Sequence, residues 1–330
     1  MKKSILSILA LVLALTALLP ACAGRNGGAE PPSKPPAATA NLGADAAYPL
    51  TFDNYGREVV VTAKPVKVLA LGPNCAETMA ALGLADTVIG TSLKNHSRGP
   101  LPEYAAAVNA MPELNYQNAT REAVIASGAD FIYGLDWEFG GSGLDTEELA
   151  AYGITAYIDS AATLEQTYQE IRDLGKIFGV EDRAEAFIAD QKARLQAVAD
   201  KIKGAERPNV LVCDAVEDGI FTATGVNYET LLMNLAGGDN LFADLAAKAW
   251  TTVSYEEVLK RNPDVIMIHD YDAPSVAEKI ASIKANDMLS QLDAVKNERF
   301  VIIELESVLP GDRTAYTIEK LAKGFYPDLL

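Results

Sequence analysis

Two histidines and three cysteines are all the chain has of the side chains that most often bind transition metals, in 330 residues. A multi-histidine metal centre is therefore not expected, and neither is a zinc knuckle. The cysteines show no CxxC pair and no dense spacing, so no disulfide framework is implied. Cys75 and Cys213 each follow an apolar strand-like run and read as buried free thiols. Enzyme signatures are missing too. There is no G-x-x-x-x-G-K-[ST], no H-E-x-x-H and no G-x-S-x-G. "GGSG", Gly140 to Gly143, reads as a loop and not as a dinucleotide fingerprint. Positive charge is short: 28 Lys and Arg stand against 45 Asp and Glu, a formal net charge of −17. That balance argues against nucleic acid as a partner, because phosphate binding needs a basic face. After the first residues, no apolar run is long enough to cross a bilayer.

The N-terminus is different. Met1-Lys2-Lys3 precedes an apolar run from Ile5 to Leu19, shorter than the ~20 residues of a membrane span and preceded by charge. It reads as an export signal, residues 1–21. The following "LPAC", Leu19 to Cys22, resembles a bacterial lipobox. That resemblance implies cleavage before Cys22 and lipid on its thiol. Residues 22–47 are Gly, Pro, Ala and polar residues that cannot build a core, and read as a tether. Such a chain spans roughly 25–30 Å r.m.s.. The expected product is extracytoplasmic, anchored to the membrane at Cys22 and otherwise soluble.

From Tyr48 onward, strand-like and helical runs alternate. "REVVVTA", "KVLAL", "DTVIGTS", "DFIYG" and "ITAYI" are strands in the first half; "NVLVCD", "GIFTAT", "DVIMIH" and "RFVIIE" are strands in the second. Helical runs between them imply βαβ crossovers and parallel sheets. Capping boxes are expected at Asn74–Glu77, Thr163–Gln166 and Asp182–Glu185. The last begins a helix ending before Gly204, with Ile188, Leu195, Val198 and Ile202 as one apolar stripe. At 1.5 Å per residue it is about 33 Å long. The halves also repeat each other. "TREAVIASGADFI" from Thr120 aligns with "SYEEVLKRNPDVI" from Ser254, and "ETMAALGLAD" from Glu77 resembles "ETLLMNLAGGD" from Glu229. The fold class is therefore α/β: two Rossmann-like lobes with mostly parallel sheets, residues 48–180 and 205–330, joined by a backbone helix at 181–204.

In such sheets ligands bind beyond the carboxyl ends of strands. Those loops hold Asn74, Lys94, His96, Arg98, Tyr116 and Trp137 in the first half. In the second half they hold Tyr228, Trp250, His269, Tyr271 and Arg313. Two rims of this kind make a cleft in which aromatic rings supply contact area and a few charges set orientation. No catalytic set emerges, so a binding role is expected and no intrinsic cofactor. A secreted two-lobe enzyme or a ligand-free adhesion protein are the remote alternatives.

The stretch from "YPLTFDNYG" through "PNCAETMAALGLADTVIG" resembles the opening of ABC-transporter substrate-binding proteins of the iron-siderophore, haem and cobalamin class. "LAGGDNLFAD", "WTTVSYEEVLKRNPDVI" and "LDAVKNERFVII" resemble that family's second-lobe signatures. The resemblance implies a monomeric Venus-flytrap receptor with a rigid helical connector and limited closure. It would deliver its ligand to a permease dimer driven by ATPase subunits. It also implies docking through one glutamate per lobe, at Glu122 and Glu256. The ligand it favours is a ferric siderophore, with cobalamin, haem or another large cofactor as alternatives. Against the cobalamin pattern, Tyr116 stands in place of a stacking tryptophan, and Val308 and Leu309 in place of a charged pair. Lys94, His96 and Arg98 would meet an anionic chelate, and His269 with Tyr271 could ligate haem iron.

Overall fold

A computed structural model describes residues 48–141 and 143–330, which belong to one compact unit, Asp45–Leu330. The expected signal, lipobox and tether, Cys22 included, lie outside the described residues.

Two antiparallel strands, β1 (Leu50–Asn54) and β2 (Arg57–Val61), open the fold. Tyr55 and Gly56 between them both have positive φ, as a tight primed hairpin turn requires. β3 (Val68–Leu71), α1 (Pro73–Ala81), β4 (Val88–Ser92), the short α2 (Ala105–Val108) and α3 (Arg121–Ala126) follow. Next come β5 (Phe131–Leu135), α4 (Thr146–Ala151) and β6 (Thr155–Asp159). The order β4-β3-β5-β6 is parallel throughout. β3 and β5 are buried along their whole length, as strands covered on both faces must be. Asn54 fastens the hairpin to β6: its side-chain amide donates to Ile158 O at 2.8 Å and its carbonyl oxygen accepts from Ile158 N at 2.7 Å.

Two helices carry the chain onward, α5 (Leu164–Phe178), ended by left-handed Gly179, and α6 (Glu181–Lys201). The second lobe holds β7 (Asn209–Cys213), β8 (Ala215–Val216), β9 (Ile220–Ala223), α7 (Tyr228–Leu235), β10 (Asp239–Asn240), β11 (Trp250–Val253) and α8 (Tyr255–Arg261). It closes with β12 (Val265–Asp270), α9 (Val276–Ala285), α10 (Asp293–Lys296), β13 (Phe300–Glu304) and α11 (Thr314–Phe325). Its main sheet, β10-β7-β12-β13, is again parallel. One expectation needs correcting here. "GIFTAT" is not part of that alternation: β9 pairs antiparallel with β8 and β11 in a separate sheet.

The stripe on α6 serves two cores. Ala184 and Ile188 pack in the first lobe's core. Leu195, Val198 and Ile202 pack in the second lobe's. None of the three expected capping boxes closes. α6 starts at Glu181 without a side-chain cap. α1 starts at Pro73 behind Gly72, whose φ of 137° a Cβ would not allow and whose Cβ would lie 2.7 Å from Leu135. Thr163 does cap α5, but the Gln166 side chain accepts from Ala162 N and Thr163 Oγ1 instead of closing the box. Both remaining cysteines are free and buried.

The repeat has a structural basis. Thr120 Oγ1 accepts from Ala123 N, and Ser254 Oγ from Glu257 N, so both cap the helix ahead of an inner strand. Asp130 accepts from Val66 and Lys67 N, and Asp264 from Asn209 N, so each fixes the start of the neighbouring strand. Glu77 and Glu229 are both buried, one facing Arg313 and the other His269.

Candidate functional site: a cleft between two lobes

The strand ends of the two parallel sheets face each other across a cavity of about 440 Å³. The first lobe contributes His96, Asn118 and Trp137. The second contributes Asp214, Phe221, Asn227, Tyr228, Trp250 and the segment Leu305 with Val308–Pro310. No lysine or arginine lines it. Its volume lies within the range of small-molecule sites, and so does its mixture of aromatic surface with a few polar groups. Phe221 and Trp250 stack at 5.3 Å and 20° on the antiparallel sheet. Tyr228 hydrogen-bonds Thr167 and Thr314 at 3.0 and 3.1 Å, tying α7 to α5 and α11.

His96 sits on a short turn after β4, preceded by Leu93 in the left-handed region (φ 60°). Its ring lies 6.1 Å from Trp137 and 6.2 Å from Tyr271, nearly parallel to the latter. Burial pushes its pKa down, so the imidazole is neutral near pH 7.

His269 is a correction. It is fully buried, with Nδ1 2.9 Å from Asp214 Oδ1 and Nε2 2.6 Å from Glu229 Oε1. Both nitrogens are taken, so it cannot ligate a bound metal in this arrangement. Burial alone would lower its pKa, but the Glu229 charge and the two hydrogen bonds outweigh it and raise the pKa to about 9. Its ring meets Trp250 edge-to-face at 5.8 Å and so backs the cavity wall. Tyr271 does not bond it; its hydroxyl donates toward Asp214 Oδ2 at 3.3 Å.

Asn74 and Arg313 also leave the ligand list. Asn74 is buried and donates to Asp159 Oδ2 at 2.6 Å and to Pro310 O at 2.8 Å. Arg313 donates to Glu77 Oε2 at 2.6 Å and to Gly99 O at 2.7 Å. The Asn74–Pro310 bond and both Arg313 bonds cross between the lobes, which explains polar side chains at strand ends without a ligand. Lys94 and Arg98 line a neighbouring cavity of similar size within the first lobe. Lys94 pairs with Glu113 at 3.5 Å and Arg98 with Asp270 at 3.4 Å. Tyr116, half exposed, donates to Asp272 Oδ2 at 2.9 Å across the cleft rim.

The architecture and this cleft agree with what comparison finds: residues 68–305 match the model of one family, described as periplasmic binding protein. The chain belongs to the periplasmic binding protein family. It is 25% identical, over 85% of its own length and 87% of the relative's, to an uncharacterized ABC transporter substrate-binding lipoprotein of Bacillus subtilis. It is 27% identical to a vitamin B12-binding protein of Vibrio parahaemolyticus, over 61% of this chain and 69% of that one. A crystal structure of a periplasmic binding protein from Veillonella parvula superposes with a TM-score of 0.77 at 28% identity, covering 85% of this chain and 98% of that one. A periplasmic heme binding protein from Pseudomonas aeruginosa gives 0.69 at 25% identity, over 81% and 94%.

Glu122 and Glu256 of this periplasmic binding protein occupy equivalent places, each exposed in the first turn of α3 and α8. Asp214 and Phe221 were not among the residues expected in the cleft. Asp214 directly follows β7 and obeys the strand-end rule. Phe221 is the outward residue of a strand whose neighbours are buried, a signal that becomes visible only once β9 is known to be antiparallel. Among the described residues, no group of three His, Cys, Asp or Glu is placed to hold a bare metal ion, and no helix is long and apolar enough to cross a membrane.

Proposed function

We propose that this periplasmic binding protein is the solute-binding component of an ABC importer, and that its ligand is a flat metal-bearing macrocycle of the cobalamin type. The observation that carries the reading is the cleft lining: four aromatic rings and an imidazole, one carboxylate, and no cation. Aromatic faces suit a planar ring system. A single carboxylate, Asp214, disfavours an anionic ligand, because a buried charge needs an opposite partner. This moves the reading away from an anionic ferric siderophore, whose expected partners Lys94 and Arg98 line the other cavity. The B12-binding relative supports the same direction. Haem is the second reading, favoured by the heme-binding structural neighbour. Its two carboxylates would have to reach toward Arg98.

Titration of Trp137 and Trp250 fluorescence with cyanocobalamin, haemin and a ferric hydroxamate tests this. Stoichiometric quenching by cyanocobalamin is expected. Quenching by the hydroxamate alone would overturn the ligand class.

Delivery runs through Glu122 and Glu256 to arginines on two permease subunits powered by an ATPase, and Cys22 anchors the receptor beside them. Reversing both glutamates to lysine should abolish uptake and leave binding intact. Cys22→Ala should free the protein from the membrane fraction; retention of the processed form there rejects the anchor.

A further inference from the structure

The turn Pro310–Arg313 brings the second lobe onto α1 of the first. At Gly311 (φ 131°) the approach is so close that a Cβ would lie 3.0 Å from Thr78 Oγ1. The turn and the segment before it carry Glu306, Asp312 and Arg313 to Glu77, and each of the four is at most 3% exposed. Three carboxyl groups therefore meet one guanidinium in the buried base between the lobes.

Two of the three are well answered. Arg313 Nη2 donates to Glu77 Oε2 at 2.6 Å, and Leu101 N donates to Glu77 Oε1 at 3.1 Å. Glu306 Oε1 accepts from Ser97 Oγ and Arg98 N at 2.9 and 2.7 Å and lies 3.5 Å from Arg313 Nη1. Asp312 has no such support. Its Oδ1 meets Thr78 Oγ1 at 3.5 Å, and its Oδ2 is buried without a donor. An ionised carboxylate in that position would be an unpaired buried charge, a cost that buried acids avoid by keeping their proton. The Glu77 carboxylate stands beside it as an acceptor for that proton. Burial first, and the Glu77 charge second, hold Asp312 well above the usual carboxylate range, against the Arg313 charge. Burial raises Glu306 too, opposed by Arg313 and the two donors. Tyr104 also faces Asp312. Its phenol is pushed up to about 12 by burial first and by the Asp312, Glu103 and Glu77 charges next, so it keeps its proton.

We propose that Asp312 holds a proton against the Glu77 carboxylate across the base of the cleft, and that parting the lobes there releases it to solvent. The step balances: the Asp312 O–H bond breaks, water takes the proton, and nothing is oxidised or reduced. In the parted base Asp312 meets water and ionises in its ordinary range. The joined base thus binds one proton more than the parted one, so acid favours joining and rising pH favours parting. At the rim, the bond from Asp272 N to Asn95 O involves no group that titrates. Movement of the rim alone leaves the proton in place. The inference does not depend on which ligand the cleft takes.

Hydrogen exchange at two amides of the full chain tests this. Arg98 N crosses to Glu306 at the base, and Asp272 N crosses to Asn95 O at the rim. Between about pH 7 and 9, protection of the Arg98 amide, corrected for its intrinsic exchange rate, should fall by up to ~10-fold per pH unit, the slope of one released proton. Protection of the Asp272 amide should stay level. Asp312→Asn keeps the shape and a donor for Glu77 but has no proton to lose. It should fold and should flatten the Arg98 slope. The infrared difference between parent and variant should contain the C=O stretch of one protonated carboxyl group. A level Arg98 amide in the parent, a slope that survives in Asp312→Asn, a variant that fails to fold at neutral pH, or a difference spectrum without that band overturns the proposal.

Discussion

At the scale of single residues, the cleft shows how one strand-end position can serve two purposes. Polar side chains beyond strand ends were legible in the sequence as a group, but their partners were not. Arg313 and Glu77 are separated by 236 positions, and nothing local marks them as a pair. Their side chains are only 3% and 2% exposed, so this is a buried ion pair between lobes. Removing one partner strands the other's charge, which typically costs ~3–5 kcal/mol. Arg313→Met should therefore lower the urea midpoint sharply, and adding Glu77→Gln should recover only part of the loss, because Arg313 also pairs with buried Glu306 at 3.5 Å. Equal stability of the single variant and the parent would remove the pair from this role. His269 gives a pH signature. Its pKa rises from 6.5 in the unfolded chain to about 9 in the fold. A raised pKa means that its stabilisation is complete below pH 6.5 and is lost as pH climbs through about 9. The unfolding temperature should fall over that window, and His269→Gln should flatten the fall. Buried Asp159, raised to about 7, and Glu170 and Asp312, raised well above the usual carboxylate range by burial, also lose stability as pH climbs, so the part of the alkaline fall that His269→Gln removes is the part His269 contributes.

At the scale of elements, the alternation of apolar strands with glycine-terminated helices foretold the two parallel sheets, because burial on both faces writes itself into composition. The antiparallel β8, β9 and β11 were not separable from it, since short strands of either kind use the same residues. Helix starts were also misplaced. An Asn or Asp three residues before a Glu suggests a capping box, but at Asn74 and Asp182 tertiary bonds or an earlier start override it. The stripe on α6 was legible, yet its meaning was not: one helix belongs to two cores. Between the two sets lies Gln191, buried, whose side-chain oxygen accepts from Ala315 N of α11 at 2.8 Å. Gln191→Leu leaves that N–H without a partner, at a cost of ~1–3 kcal/mol. Urea unfolding should show a destabilisation of that size in a single transition. A second transition would mean that α6 does not couple the lobes.

At the scale of the whole molecule, the contacts between lobes fall into two kinds with different strengths. The buried kind includes Asn74 to Pro310, Arg313 to Glu77, Tyr228 to Thr167, and Ser97 and Arg98 N to the buried Glu306 carboxylate. The exposed kind spans the rim: Tyr116 to Asp272, Asp272 N to Asn95 O, and Arg98 to Asp270. Exposed ion pairs contribute ~0–1 kcal/mol each and exposed hydrogen bonds little more, so thermal motion breaks the rim readily while the base stays joined. A ligand of the proposed macrocycle class, larger than the 440 Å³ cavity, would enter by parting that rim. The rim then acts as a weak latch over a stiff base, which limits how far the lobes part. Loosening the latch should therefore speed exchange and leave the fold intact. Tyr116→Phe combined with Asp270→Ala should raise both association and dissociation rates of cyanocobalamin several-fold in stopped-flow tryptophan fluorescence. Arg313→Met, which loosens the base, should instead lower the unfolding midpoint. If the rim double variant leaves both rates unchanged, ligand enters by another path and the exposed contacts are not the gate.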